Sequence, residues 1–368
     1  METGRRMSLR EPDFKLFYRN VDISSELDPH LLSCTYTDKL DGEADEIDVT
    51  VQDKQGLWRG PWCPDHGDTV ELWIGYKGLP FVYCGSFEID EPNARLGRGG
   101  DTFSFKGVSA PVTKAVRTRN NARFEKQKLK QVAEKIGSRH GMEIVGTPPD
   151  IYFDHVAQRR ERDLEFLSRL AKDYGAYFAV KGRKLVFLER KELHERDEIF
   201  TIHADSDEYI TADLKRAAHK TYSKAKASYF EGNEKKNIEV EVEDKNVKTG
   251  DTLRLDERIE NEGQARALAK SRLEYENLKK QSGNIVMTGN PLALAGNNFA
   301  LDAGFGKWMG KYIINSSRHH IVRAQGYTTN IEFKHVGTAK DADASKSKAP
   351  AAGKSNSTSG FALPSQRA

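Results

Sequence analysis

Between Leu31 and Glu91 apolar and polar residues exchange places with a two-residue period, and this pattern constrains the fold more than any other feature of the chain. Ile47, Val49 and Val51 alternate with Asp48, Thr50 and Gln52, and Val70, Leu72, Ile74 and Tyr76 alternate with Glu71, Trp73, Gly75 and Lys77. Successive side chains of a strand point to opposite faces, so one set is expected in a core and the other in water. Asp41-Gly42, Gly60-Pro61, Gly67-Asp68 and Gly78-Leu79-Pro80 supply turn chemistry between the runs, reversing the chain about every ten residues. Short antiparallel strands at this spacing predict a barrel or sandwich.

The rest of the chain extends that plan. Residues 1–13 read as a flexible arm, and Phe14, Leu16 and Tyr18 as a first strand. The glycines of Gly97–Asp101 precede another alternating run, Thr102–Lys106. They lack the spacing of a phosphate loop and no helix follows, which predicts a hairpin turn. Residues 14–112 thus form a first barrel-like β unit.

An α+β insert is expected over 113–204. Leu129, Val132, Ala133 and Ile136 fall on one helical stripe with Gly137 or Gly141 as the stop, and Pro148-Pro149 forces extended chain. A second stripe holds Leu164, Leu167, Leu170, Ala171 and Tyr174 and ends at Gly175. The apolar runs on either side of Gly182-Arg183 predict a hairpin.

Residues 205–336 return to strands, with alternation at Ala225–Tyr229, a turn at Gly232-Asn233, and Ile238–Val242 coming back. Asn261 followed by Gln264 resembles a capping box that starts a helix running to about Lys280, before β structure resumes over Asn284–Val336. From residue 337 to 368 the chain is rich in Ala, Ser, Lys and Gly, with Phe361 its single aromatic, and a disordered tail is expected. The fold class is therefore β-rich α+β, with two barrel-like antiparallel units flanking an α+β insert.

Composition narrows the function. A chain of 368 residues suggests two or three structural units. With 58 basic and 55 acidic residues the formal charge is +3, too even to argue for nucleic-acid binding. Cys34, Cys63 and Cys84 are odd in number and widely spaced, which argues against a disulfide framework and for assembly in a reducing cytoplasm. No apolar run approaches the roughly 20 residues of a membrane span. The N-terminal METGRRMSLREPDFKLFYRN carries charge without a hydrophobic segment, so no secretory signal is expected.

The chemistry-bearing residues give no site. His319-His320 sit in a predicted strand, where neighbours face opposite ways and cannot share an ion, and Cys63, Asp65, His66 and Asp68 lack zinc spacing. The acids Asp41, Glu43, Asp45, Glu46 and Asp48 lack the order of a calcium loop and read as a wet hairpin edge. Trp58 and Trp62 are expected to pin a turn against the barrel rather than stack on a ligand, and no nucleophile elbow is present. The basic stretch Lys114–Lys130, with Arg117, Arg119, Arg123 and Lys126, admits two readings. One is a solvated linker and first helical turn, the other a surface for an acidic partner or passing nucleic acid. No catalytic residue, metal or cofactor is predicted.

Three segments carry a resemblance. S-x-T-Y-T-D-K-L-D-G-E-A-D-E-I-D-V-T-V-Q-D leads to W-R-G-P-W-x-P and G-D-T-V-E-L-W-I-G-Y; Arg159–Arg190 and Gly310–Phe333 follow. Together, in this order and over roughly residues 14–336, they resemble the late control protein D family of P2-like phages. These are baseplate hub proteins of contractile tails, related to the T4-type hub and to the front half of the valine-glycine-repeat spikes of type VI secretion. The resemblance implies a homotrimer whose two β units per chain make a ring of six modules, adapting a sixfold tail tube to a threefold spike. Implied partners are the tube protein, the spike and other baseplate proteins, extending to the tape measure; no membrane partner is expected, and the even charge balance argues against nucleic acid. The protein would be made in the bacterial cytoplasm and end in the phage tail or a tail-like particle. Strands holding Val70, Leu72, Ile74 and Tyr76, and Lys311, Tyr312, Ile313 and Ile314, are the candidates for lining the ring. A cell-wall hydrolase of the injection tip and a nucleic-acid-binding module are the rival readings.

Overall fold

The computed structural model describes residues 10–336 except 43, 110–117, 218–220, 232–235, 245, 246, 248–250, 258 and 324. The expected arm up to residue 9, the Gly232-Asn233 turn, Arg117 and the tail from 337 lie outside the described residues.

The alternating N-terminal region folds into β1 (Pro12–Tyr18), β2 (Val21–Asp22), a single turn α1 (Ser24–Leu27), β3 (Leu31–Lys39), β4 (Glu46–Gln52), β5 (Thr69–Tyr76), β6 (Val82–Arg95) and β7 (Thr102–Val108). Its inward set is the predicted one: Ile47, Val49, Val51, Val70, Leu72, Ile74 and Tyr76 join one core with Phe14, Leu16, Phe87 and Phe105. The Gly97–Asp101 segment closes the β6–β7 hairpin next to the Arg95–Thr102 pair. Trp58 is buried, donates its backbone N–H to Asp53 Oδ1 at 3.0 Å and meets Trp62, which stays exposed, edge-on at 5.4 Å.

The insert contains β8 (Arg119–Lys128), α2 (Leu129–His140), β9 (Glu143–Gly146), β10 (Tyr152–Arg162), α3 (Asp163–Asp173), β11 (Ala176–Lys181), β12 (Lys184–Glu189) and α4 (Arg190–Glu195). Arg119–Lys128 is a strand paired with β10, not the linker and helical turn that its charge suggested. The period of two is present: Asn120, Ala122 and Phe124 face in while Arg119, Asn121, Arg123 and Glu125 face out. The first helical stripe is buried as expected; of the second, Leu167, Leu170 and Ala171 are buried together with Phe166, which the predicted stripe omits, while Leu164 and Tyr174 are half-buried. Gly141 ends α2 in the left-handed conformation at φ 63°. Lys181 pairs with Lys184, so Gly182-Arg183 is the two-residue turn, with Gly182 at φ 59°.

The last part comprises β13 (Glu198–Ile202), β14 (Tyr209–Arg216), β15 (Tyr222–Glu231), β16 (Lys236–Glu243), β17 (Asp251–Leu255), α5 (Glu262–Leu278), β18 (Gln281–Thr288), β19 (Asn298–Leu301), β20 (Gly310–Val322) and β21 (Gly326–His335). Asn261 caps α5, its side chain accepting from the Gln264 N–H at 2.9 Å. Strands β15–β17 form a separate three-stranded sheet on which α5 packs its Ala265–Leu268–Ala269–Leu273 stripe.

The remaining strands share one thirteen-stranded sheet, ordered β14-β18-β21-β20-β3-β4-β7-β6-β5-β1-β2, with β13 and β19 branching beside β20. Ser316–Val322 of β20 pairs with Ser33–Lys39 of β3, so strands from both ends of the chain are joined by backbone hydrogen bonds. The sheet is open: β3 gives one edge to β4 and the other to β20, leaving none with which to close a barrel on β1. Two cores nevertheless persist along it, one under β1 and β3–β7 and a second around Phe299, Tyr312, Ile314, Ile331 and Phe333.

Candidate functional site

The three parts of the chain meet at a buried ion cluster. Lys181, the last residue of β11, donates to Asp38 Oδ1 at 2.7 Å and to Asp45 Oδ2. Asp38 also accepts the Ala295 N–H at 2.8 Å, and Asp45 accepts the Lys39 N–H at 3.1 Å. Ser109 closes the set, its hydroxyl accepting from the Asp45 N–H at 2.8 Å and donating to the Val180 carbonyl at 3.0 Å. The wet-edge reading of this acidic run thus fails at Asp45, which is 1% exposed because the β11–β12 hairpin lies over it. Burial pushes the Asp45 carboxyl up to about 7 despite Lys181, since two carboxylates facing one ammonium would leave a net charge in a dry place.

A cleft of about 680 Å³ opens beside this cluster, walled by Glu71, Trp73 and Tyr83 on one side and Arg183 and Lys184 on the other. The ring of Trp73 lies 4.8 Å from Phe17 and 4.7 Å from Tyr83, making an outward aromatic row across β1, β5 and β6. The candidate residues Val70, Leu72, Ile74 and Tyr76 occupy the opposite, inner face of β5. Tyr312, Ile313 and Ile314 are likewise buried, whereas Lys311 is part-exposed and donates to the Arg196 carbonyl. The outward alternates of these strands include the half-buried Glu71 and Trp73 on β5 and the exposed Arg318 on β20.

Of the basic set, Arg119, Arg123 and Lys126 stand exposed on β8. Arg123 borders a groove of about 640 Å³ together with Arg159 and Arg169, but also Glu125, Glu161, Asp173 and Glu257. Its mixed charge gives the groove no polyanion-binding character. His319 is buried with Nδ1 2.7 Å from the Tyr327 hydroxyl, while His320 faces the other way toward Thr35 Oγ1 at 2.8 Å, so the pair diverges as expected. Burial pushes the His319 ring down to about 4. Asp68 of the Cys63–Asp68 set is held by Tyr18 and Arg19; among the described residues no three metal-ligating side chains converge.

Two clusters escaped sequence reasoning. Asp163, fully buried at the start of α3, accepts from Asn120 at 3.0 Å, Arg139 at 2.7 Å and Gln158 at 2.7 Å and pairs with His140 at 2.7 Å. Burial alone would raise its carboxyl, yet these hydrogen bonds hold it below the ordinary range. The other surrounds Tyr275. Nothing in the spacing of either set announces it, because each draws on elements far apart in the chain.

A family model described as phage tail baseplate hub (GPD) matches residues 108–325. The chain belongs to that family. This hub-family match takes in Arg159–Arg190 and most of Gly310–Phe333, while the Leu31–Glu91 stretch lies before it. The chain is 30% identical over 180 residues to the "probable baseplate hub protein" of Escherichia phage P2, and 29% identical over 180 residues to that of Escherichia phage 186. Each alignment spans 48% of this chain and 45% of the relative, so just under half of each relative's length is matched. Among solved structures, a tail protein from Neisseria meningitidis MC58 aligns at TM-score 0.65 and 12% identity, covering 88% of this chain and 97% of its own. The 43 kDa tail protein of prophage MuSo2 from Shewanella oneidensis aligns at 0.64 and 16% identity, covering 88% and 98%. An E. coli component of the type VI secretion system aligns at 0.57 and 14% identity, covering 91% and 76%. The hub-family chain shares its fold with these proteins.

Proposed function

We propose that this chain is the structural hub of a contractile tail or tail-like injection system, a homotrimer that joins a sixfold tube to a threefold spike. The observation that carries the reading is the β20–β3 seam. It sets two β cores side by side in one sheet, so each copy offers two modules and three copies offer six. Family membership and the fold shared with tail proteins support the same reading. Strands β5 and β20 line the ring in this arrangement, with Glu71, Trp73 and Arg318 as the contacting side chains, and the insert projects toward baseplate neighbours. Tube, spike, other baseplate proteins and the tape measure are its partners, and it performs no catalysis.

Light scattering on the purified full chain tests the assembly. Three times the chain mass is expected, alone or on adding the spike, and electron microscopy of the particle should place both β cores in one ring. A monomer under both conditions, or cores on unrelated parts of the particle, would overturn the proposal. A peptidoglycan zymogram and a gel shift at moderate salt, both expected blank, test the hydrolase and nucleic-acid readings.

A further inference from the structure

Positive charge gathers around one tyrosine in a way the hub role does not use. Tyr275, on α5, is only 9% exposed. Measured to the centre of its ring, the Lys172 ammonium lies at 4.6 Å, Lys279 at 5.0 Å, Lys334 at 5.1 Å and the Arg190 guanidinium at 5.1 Å. The four come from the end of α3, the residue after α5, β21 and the start of α4, so the fold converges them from separate elements.

Compensation is incomplete. Glu276 pairs with Lys279 at 2.7 Å, and Asp41, on the β3–β4 connection, is the other acid acting on the group. Four cations face two carboxylates, and a ring quadrupole is a weak substitute for an anion. Among the described residues the Lys172 ammonium makes no hydrogen bond or ion pair. Arg190, 3% exposed, is fixed by bonds to the Ser271 carbonyl at 3.0 Å, Ser271 Oγ at 3.3 Å and the Lys172 carbonyl at 3.2 Å, while its buried Nε–H has no acceptor. Burial pulls the Lys334 ammonium below its ordinary range, Asp41 opposing and the neighbouring cations adding to the shift. Lys334 also donates to Asn315 Oδ1 at 2.8 Å, so within the cluster the unpartnered donors are the Lys172 ammonium and the Arg190 Nε–H, and Lys279, 35% exposed, stands at its solvent side.

We propose that the Tyr275 cluster binds a phosphoryl oxyanion. A phosphate dianion matches the surplus of two positive charges and offers several acceptor oxygens to Lys172, Lys279 and the fixed Arg190, whereas a single carboxylate would leave one charge unmatched. The site is independent of the hub assignment.

The probe is inorganic phosphate, titrated at slightly alkaline pH into the full chain by calorimetry and thermal unfolding against sodium chloride of equal ionic strength. Phosphate is expected to raise Tm by several degrees beyond chloride. Lys172→Met and Lys279→Met should each weaken binding about tenfold or more, and Lys135→Met, the same charge change on α2 away from the cluster, should not. Lys172 contributes only a ring contact and like-charge repulsion, so Lys172→Met should stay folded, with a Tm in chloride no lower than wild type by more than a degree or two. Adenosine diphosphate alongside reports whether the phosphoryl group is accepted on a nucleoside. A rise no greater than with chloride for both ligands, or equal binding in all variants, would overturn the proposal.

Discussion

Lys181 holds Asp38 and Asp45 with one ammonium, and through them it fastens the insert to the sheet. Removing Lys181 leaves two carboxyls in a dry place with no cation, where they must either stay charged or take up a proton. Lys181→Met should therefore cost about 3–5 kcal/mol in chemical denaturation. Adding Asp45→Asn to it should restore part of the loss, which separates uncompensated charge from lost packing.

Stability should also fall on acidification through His319. Its folded pKa of about 4 lies below the unfolded value, so the unfolded chain takes up the proton first. The contribution is complete above about pH 6.5, falls away as the pH drops from there toward 4, and amounts to about 3 kcal/mol. Asp45 works in the opposite sense: with its folded pKa raised to about 7, it favours the native state as pH falls below 7 toward the ordinary carboxylate range. Denaturation of His319→Gln against wild type between pH 7 and 4 should show a flatter acid limb. Asp45→Asn should show a steeper one.

The Tyr76 hydroxyl donates to the Gly289 carbonyl at 2.6 Å, linking β5 to the loop after β18. Tyr76→Phe keeps the ring and deletes this bond between the two β regions. A loss of about 1 kcal/mol in unfolding free energy is expected.

Assembly should respond to the outward aromatic row. Trp73→Ala removes the middle ring of Phe17–Trp73–Tyr83 while sparing the core beneath. Self-association is expected to weaken by about 2 kcal/mol, roughly thirtyfold in Kd, with the monomer still folded by circular dichroism. Sedimentation at several concentrations measures it.

Elements whose period was strict were legible before folding. Val70–Tyr76, the Leu129–Ile136 stripe and the Gly182-Arg183 turn fall where alternation, helical spacing and glycine placed them. Arg119–Lys128 misled because charge masked a period of two whose inward members include Asn120 and Ala122, small or polar rather than oily. Strands β15–β17 were read with the β unit that follows because pattern says how a strand is buried, not which sheet receives it. The interaction clusters were hidden for a related reason. Asp45 looked wet until the hairpin carrying Lys181 was laid over it, and no local rule joins Lys172 to Lys334.

Thr35 meets His320 across 285 residues of sequence. At ribosomal rates of about 5–20 residues per second, β3 emerges some 15–60 s before the strand that covers its second edge. Through that interval the nascent chain presents a naked row of amides and carbonyls, able to recruit any passing strand. A message cut short before β20 yields a product that keeps this edge uncovered for good, so completing translation is itself the safeguard against aggregation.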